Sequence, residues 1–148
     1  MDMTIMTIAR SLADYLAPVL PGVTFYEDPN QQDSQTPMLF LQVRSSDMEI
    51  EAGGFWKRRL SLDLVYMESY NIPDMQARYQ AAGEALDLVM ETFPYSDGVA
   101  APVLLRTRQR EWRIDADALH YRFDVVVRVH IPKDGINMRT MGYHAEVL

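Results

Sequence analysis

The chain has 148 residues, 48% of them hydrophobic and 24% charged, a balance typical of one folded domain spanning residues 1–148 with its own hydrophobic core. It contains no cysteine, which excludes a disulfide scaffold, a thiolate metal site and a cysteine nucleophile. Its formal net charge of −7 argues against a general nucleic-acid binder, because a sequence-independent grip on phosphate needs surplus positive charge.

A helix and a short strand are the first predicted elements. Apolar residues recur at helical spacing and predict an amphipathic helix over residues 4–17, which Pro18 ends. The Pro-Gly pair at residues 21–22 predicts a turn, and residues 23–27 have the composition of a short strand. A polar loop is expected over residues 28–37.

The next segment predicts a long β-hairpin. Strands over residues 38–50 and 55–66 flank the turn-forming sequence EAGG. A two-residue loop at residues 52–53 places apolar residues of both strands on one shared face, and a slip of one residue destroys that match. The predicted apolar pairs are Leu39 with Tyr66, Leu41 with Leu64, and Val43 with Leu62.

Residues 70–95 predict a second helix, with Pro73 in its first turn and a second proline at its end. A last hairpin is predicted over residues 103–114 and 119–131, and its second strand alternates without a break, as expected near a sheet centre. A C-terminal tail, about residues 133–148, is expected to be extended. The pattern indicates an α+β fold of order α-β-β-β-α-β-β, in which two long hairpins of an antiparallel or mixed sheet pack against two helices.

The distal half of the first hairpin, about residues 44–59, is expected to protrude as a two-stranded arm. A strand of about 13 residues at roughly 3.3 Å per residue spans roughly 40 Å, about the diameter of a domain of this size. The apolar face of the predicted register stops at Val43 and Leu60. Beyond it the register pairs acidic residues with basic or aromatic ones, Asp47 with Arg58 and Glu49 with Trp56.

Two interpretations of this arm remain open. In the first, acids of one strand only neutralise bases of the other, with Asp47, Glu49 and Glu51 facing Lys57, Arg58 and Arg59. In the second, the neighbouring aromatic residues Phe55 and Trp56 contact another chain, because exposed aromatic side chains are typical of interfaces. We expect the arm to dock on a neighbouring subunit.

A second candidate interface lies on the first strand of the last hairpin. Arg106, Arg108 and Arg110 alternate with other residues and so fall on one strand face, followed by Trp112. A two-residue turn would put these arginines on the apolar face, whereas a three-residue loop over residues 115–117 or a bulge avoids the clash and pairs Arg110 with Asp124; both remain open. Ten of the 14 basic residues fall on predicted strands, which predicts a basic face for another copy or an acidic neighbour, the alternative being a solvated face.

Motifs for catalysis, metal binding and cofactor binding are not found in the sequence. His120 and His130 are ten residues apart on one strand, about 33 Å, which is too far to share a metal ion. Neither a signal peptide nor a stretch of about 20 apolar residues occurs, so no membrane association is expected. We expect no enzyme, no cofactor and no metal, and a soluble protein inside the producing cell.

Two segments of the chain resemble phage tail terminator (tail completion) proteins. The sequence KRRLSLDLVYMES, residues 57–69, is similar to the basic, then amphipathic strand of that family. The sequence RQREWRIDADALHYRFDVVVRV, residues 108–129, resembles its final hairpin, where an aspartate-containing turn leads into a leucine, a histidine and an aromatic residue. Ala118 departs from the pattern, because a glycine is expected near this turn.

The resemblance implies a homo-oligomeric ring, generally a hexamer, at the head-proximal end of the tail tube. Such a ring stops addition of tail tube protein, offers its other face to the head-tail connector protein, and passes DNA through its lumen as cargo. The protein would then be found in the virion tail, after assembly in the cytoplasm of a bacterial host. Alternatives are another phage neck, connector or baseplate adaptor protein and, third, a nucleic-acid-binding sheet.

Overall fold

The computed structural model describes residues 4–27, 35–69, 72–99, 101–115 and 118–130. Within these residues there are two helices and six strands: α1 (Ile5–Leu16), β1 (Thr24–Tyr26), β2 (Met38–Glu51), β3 (Phe55–Met67), α2 (Met75–Val89), β4 (Thr92–Tyr95), β5 (Val103–Ile114) and β6 (Leu119–His130). The strands form one mixed sheet in the order β1-β2-β3-β6-β5-β4, in which β1 is parallel to β2 and the other pairs are antiparallel. The predicted α+β class is confirmed.

Helix α1 begins at a capping box. The Thr4 side chain accepts a hydrogen bond from the Thr7 backbone N–H, and the Thr7 hydroxyl accepts one from the Thr4 backbone N–H. The helix buries Ile8, Leu12 and Leu16 against the sheet, as the helical spacing of the sequence predicts.

The first hairpin follows the predicted register only in its proximal half. Leu39 to Val43 pair as predicted, ending with Val43 opposite Leu62, but a bulge between Val43 and Ser45 shifts the remaining pairs by one residue. Glu51 then pairs with Phe55, so the loop has three residues, 52–54, and the predicted two-residue loop is wrong. An extra residue on one strand reverses the alternation of all side chains beyond it.

The arm has three strands and not the predicted two. Strand β6 pairs with β3 along its whole length, from Tyr66 opposite Leu119 to Phe55 opposite His130. The long, unbroken alternation of β6 therefore serves both the centre of the sheet and the arm. A third strand stabilises the arm, because an isolated two-stranded hairpin is marginal in water.

One face of the sheet, the helix-side face, packs against α1 and α2. Leu60, Leu62 and Leu64 of β3 lie on it and are fully buried together with side chains of both helices. A smaller apolar cluster lies on the opposite, outer face and consists of Met38, Phe40, Val65 and Ala118. The main core thus lies at the end of the long strands that is away from the loop at residues 52–54.

The chain after α2 forms a strand where the sequence analysis continued the helix. Helix α2 ends at Val89, and residues Thr92–Tyr95 form β4 at the sheet edge, paired with β5. Phe93 is fully buried in β4 and not on the helix. The proline at position 94 is compatible with this edge strand, which needs no donor on its free side.

The last hairpin contains a bulge and not the alternative three-residue loop over residues 115–117. Asp115 and Ala118 exchange backbone hydrogen bonds of 2.9 and 3.4 Å, and Ile114 pairs with Leu119. A bulge between Arg108 and Glu111, where Gln109 has a φ of 53°, then shifts the register so that Arg108, and not Arg110, faces Asp124. Residues 28–34 of the predicted loop and the whole predicted C-terminal tail, about residues 133–148, lie outside the described residues.

Candidate assembly surface

The helix-side face of the arm continues the apolar side of the sheet beyond the helices. The bulge at position 44 places Met48 and Ile50 on this face, opposite Arg58 and Trp56 of β3. The buried part of the face ends at Leu60, which is fully buried, whereas Met48 is 53% exposed and Ile50 46% exposed. Apolar side chains therefore continue along this face beyond the part that α1 and α2 cover.

We call this surface the arm strip. Its members lie on β2, β3 and β6 and share the helix-side face: five are apolar, and the sixth is the charged Arg58. The apolar members are Val43, Met48, Ile50, Trp56 and Val127. Val43 is 43% exposed, while Trp56 and Val127 are half-buried. Neighbouring exposed apolar side chains of this kind are typical of a protein–protein contact.

Arg58 is the charged residue within the arm strip. It lies opposite Met48 on one side and Val127 on the other, and its Nε is 3.4 Å from the Ser46 hydroxyl. The predicted pairing of Arg58 with Asp47 is wrong, because the bulge separates these two residues onto opposite faces. The planar guanidinium of an arginine matches the geometry of a carboxylate, which suits it to contacts with acidic residues of another chain.

The outer face of the arm carries the remaining predicted charges as facing pairs. Asp47 is opposite Arg59, and Glu49 is opposite Lys57 and not, as predicted, Trp56. Further along, the Arg128 Nε is 2.9 Å from a Glu51 carboxylate oxygen. The first interpretation, in which acids and bases face each other across the hairpin, holds for this face; Phe55, which is 40% exposed, also lies on it.

The three arginines of β5 do not form one stripe. Arg106 is 3.2 Å from Glu91, and Arg108 faces Asp124. Arg110 follows the bulge and donates hydrogen bonds to the backbone and side-chain oxygens of Thr107, which faces the core. Because acids face bases on the strands as well, the predicted basic face of the sheet is wrong.

Trp112 contacts its own subunit. Its indole packs on Gly83 of α2, and its Nε1 donates a 2.9 Å hydrogen bond to Asp87. The same carboxylate accepts a 2.9 Å hydrogen bond from the buried Tyr121 hydroxyl. Burial and the Asp87 carboxylate raise the pKa of Tyr121 well above its usual range. Trp112 thus holds α2 to the sheet, which is a role that the sequence analysis did not assign to it.

His120 belongs to a polar cluster on the outer face. Its Nδ1 is 2.9 Å from an oxygen of the buried Asp63, and its Nε2 is 3.4 Å from Asp115.

Within the described ranges, no three His, Asp or Glu side chains are grouped to hold a metal ion. Neither α1 nor α2 is long and apolar enough to span a bilayer.

Met48, Ile50 and Val127 are surface residues that the sequence pattern did not predict as such. For Met48 and Ile50 the signal is present in the sequence DMEIE, residues 47–51, where apolar and acidic residues alternate. The predicted register assigns Met48 and Ile50 to the other face, because the bulge at position 44 has no glycine or proline to mark it.

One family model matches most of this chain. The family model described as phage tail terminator protein matches residues 6–137, which include α2, all six described strands and all of α1 except its first residue. Curated proteins searched with the same chain give no match. The extent of the family match covers most of the 148 residues, so the chain belongs to the phage tail terminator family and is a structural component of the phage tail.

Proposed function

We propose that the protein forms a closed homo-oligomeric ring, a hexamer, that caps the head-proximal end of the tail tube. The ring stops addition of tail tube protein on one face and offers the other face to the head-tail connector protein. DNA passes through its lumen. Membership of the terminator family supports the tail location, and the exposed arm strip supports self-assembly.

The single observation that carries the proposal is the arm strip. Three of its apolar residues, Val43, Met48 and Ile50, are each more than 40% exposed although they continue the core face of the sheet. Burying such side chains contributes about 1.5–3 kcal/mol for each fully covered residue. A ring supplies this cover at every subunit, because a heterologous contact that closes uses the same pair of surfaces at each interface.

The ring is tested with the double variant Trp56→Ala/Arg58→Glu. Both residues lie on the helix-side face of the arm, outside the fully buried core, so the variant is expected to fold and to lose the ring in native mass spectrometry. The matched control exchanges a facing pair on the outer face of the same strands, Glu49→Lys/Lys57→Glu, and is expected to assemble normally.

Tube termination is tested separately with purified tail tube protein. Adding the protein to a polymerising tube is expected to shorten the tubes and to leave it at one end only, as seen by electron microscopy. The double variant is expected to leave tube length unchanged.

Normal rings from Trp56→Ala/Arg58→Glu would show that the arm is not the contact between subunits.

A further inference from the structure

A groove with preformed walls lies between α1, the end of α2 and β4. Its volume is about 730 Å³, within the range of about 300–1,000 Å³ of pockets that enclose a bound group. Two long-range contacts fix its walls: the Tyr15 hydroxyl donates a 2.7 Å hydrogen bond to the Val89 carbonyl, and the Ser96 N–H donates a 3.1 Å bond to the Ser11 hydroxyl. The groove therefore exists before anything binds in it.

The lining of this groove is complementary to the arm strip. Its apolar part includes Val19, Pro94 and Pro102, and Asp14 and Asp97 add two carboxylates. The one cation among the described residues of this lining, Arg10, has its Nε 3.3 Å from a Glu27 carboxylate oxygen. The arm strip is apolar with one guanidinium, that of Arg58. Apolar surface against apolar surface and a cation against carboxylates is the arrangement that favours a specific contact.

The two surfaces are also distributed as a head-to-tail contact requires. The arm strip lies on the adjacent strands β2, β3 and β6, whereas β4 of the groove is an edge strand separated from them by β5. None of the arm-strip residues lines the groove. A heterologous interface joins two different patches of identical subunits, and these patches are distinct in both place and chemistry.

We propose that the groove between α1 and β4 is the receptor for the arm strip of the next copy of the chain. Met48, Ile50 and Trp56 of one subunit occupy the apolar floor, and Arg58 lies beside Asp14 and Asp97 of its neighbour. This inference rests on the proposed self-assembly and deepens it, because it assigns the receiving surface. The competing occupant of the arm strip is the chain's own C-terminal segment, residues 131–148, which follows the strand end at His130 opposite Phe55.

The absence of cysteine allows a direct cross-linking test. One protein sample carries Met48→Cys in the arm strip, a second carries Pro102→Cys in the groove, and the two are mixed and treated with a short bismaleimide. A cross-linked species of both chains is expected, and it can form only between copies. A mixture of Met48→Cys with Gln80→Cys, an exposed position of α2 outside the groove lining, is the control and is expected to give none.

The charge contact is tested in the same assay. Arg58→Glu in the Met48→Cys protein is expected to lower the yield of cross-linked product about tenfold, because the glutamate meets the carboxylates of the groove. Adding Asp14→Arg to the Pro102→Cys protein is expected to restore much of that yield. Lack of any restoration would remove the pairing of Arg58 with Asp14 from the inference.

The outcomes separate this inference from the proposed ring. Rings in native mass spectrometry without the Met48–Pro102 cross-link overturn the groove as receptor and leave the ring intact. Cross-linked open chains without a closed ring support the groove and overturn the ring. A cross-link within one chain in a Met48→Cys/Leu148→Cys protein, without the groove product, assigns the arm strip to the C-terminal segment and also overturns the inference.

Discussion

The contact between Gly83 and Trp112 predicts that Gly83→Ala lowers the free energy of unfolding, and the sign of that change tests the contact. A Cβ atom at Gly83 would lie 2.7 Å from both Cδ2 and Cε2 of the Trp112 indole. The indole has little freedom to move, because its Nε1 is bonded to Asp87, which also binds the buried Tyr121. Gly83→Ala therefore forces a shift in the packing of α2 against β5.

The magnitude follows from three opposing contributions. Alanine in place of glycine inside a helix stabilises by about 1 kcal/mol. Overpacking at the indole costs about 1–3 kcal/mol, and loss of a well-formed hydrogen bond to Asp87 costs about 1 kcal/mol more. The expected net effect is a loss of about 2 kcal/mol in the free energy of unfolding, or about 4–8 °C in Tm for a chain of this size.

Urea and thermal unfolding followed by circular dichroism measure this effect. The matched background is Trp112→Leu, which removes the ring that Gly83→Ala would strike. In that background Gly83→Ala is expected to be neutral or stabilising, so the double-mutant cycle should give a coupling of about 2 kcal/mol. If Gly83→Ala stabilises the otherwise unchanged protein, the close packing of the indole on α2 is refuted.

The other predictions concern the end of the core, the alkaline limit of stability and the start of α1. Leu60→Ala should lower the free energy of unfolding by about 2–5 kcal/mol. Met48 is on the same face but 53% exposed, so Met48→Ala should change the free energy of unfolding of the monomer by less than about 0.5 kcal/mol. Equal losses for the two variants in urea unfolding would place the end of the core elsewhere. Burial and a hydrogen bond to Asp87 raise the pKa of Tyr121 in the folded state, so its contribution to stability is complete below the usual value of about 10 and is lost at higher pH. Tyr121→Phe should therefore lose less stability than the unchanged protein between pH 7 and alkaline pH, and an equal loss in both would contradict this. Thr4→Ala should cost about 0.5–2 kcal/mol by removing the cap of α1, and Asp14→Ala, on the exposed side of the same helix, should not.

Most of the fold could be predicted from the sequence because its signals are local and periodic. The unbroken alternation of β6 predicts a central strand, and β6 lies between β3 and β5. The helical spacing that predicts α1 is matched by the burial of Ile8, Leu12 and Leu16. The apolar spacing of α2 continues to Phe93 and so predicts a helix where Thr92–Tyr95 form a strand, although the following proline fits an edge strand equally well.

The two bulges explain most of what the sequence analysis placed wrongly. Each adds a residue without a glycine or proline to mark it, and a one-residue shift moves every following side chain to the other face. For the arm, this shift separates Arg58 from the acids; for β5, it separates Arg110 from Arg106 and Arg108. Such positions depend on how several strands pair at once, and local patterns do not contain that information.

The bulge in β2 also changes the physical meaning of the arm. Without the bulge, the alternating acids Asp47 and Glu49 would continue the core face. Water alone could then solvate that face of the arm. With the bulge, Met48 and Ile50 continue that face, while the acids lie against Lys57 and Arg59 on the outer side. Charge is thereby neutralised on one side of the arm and apolar surface is presented on the other. The proposed self-assembly would use that division, because charged surface favours contact with water and apolar surface is stabilised when another subunit covers it.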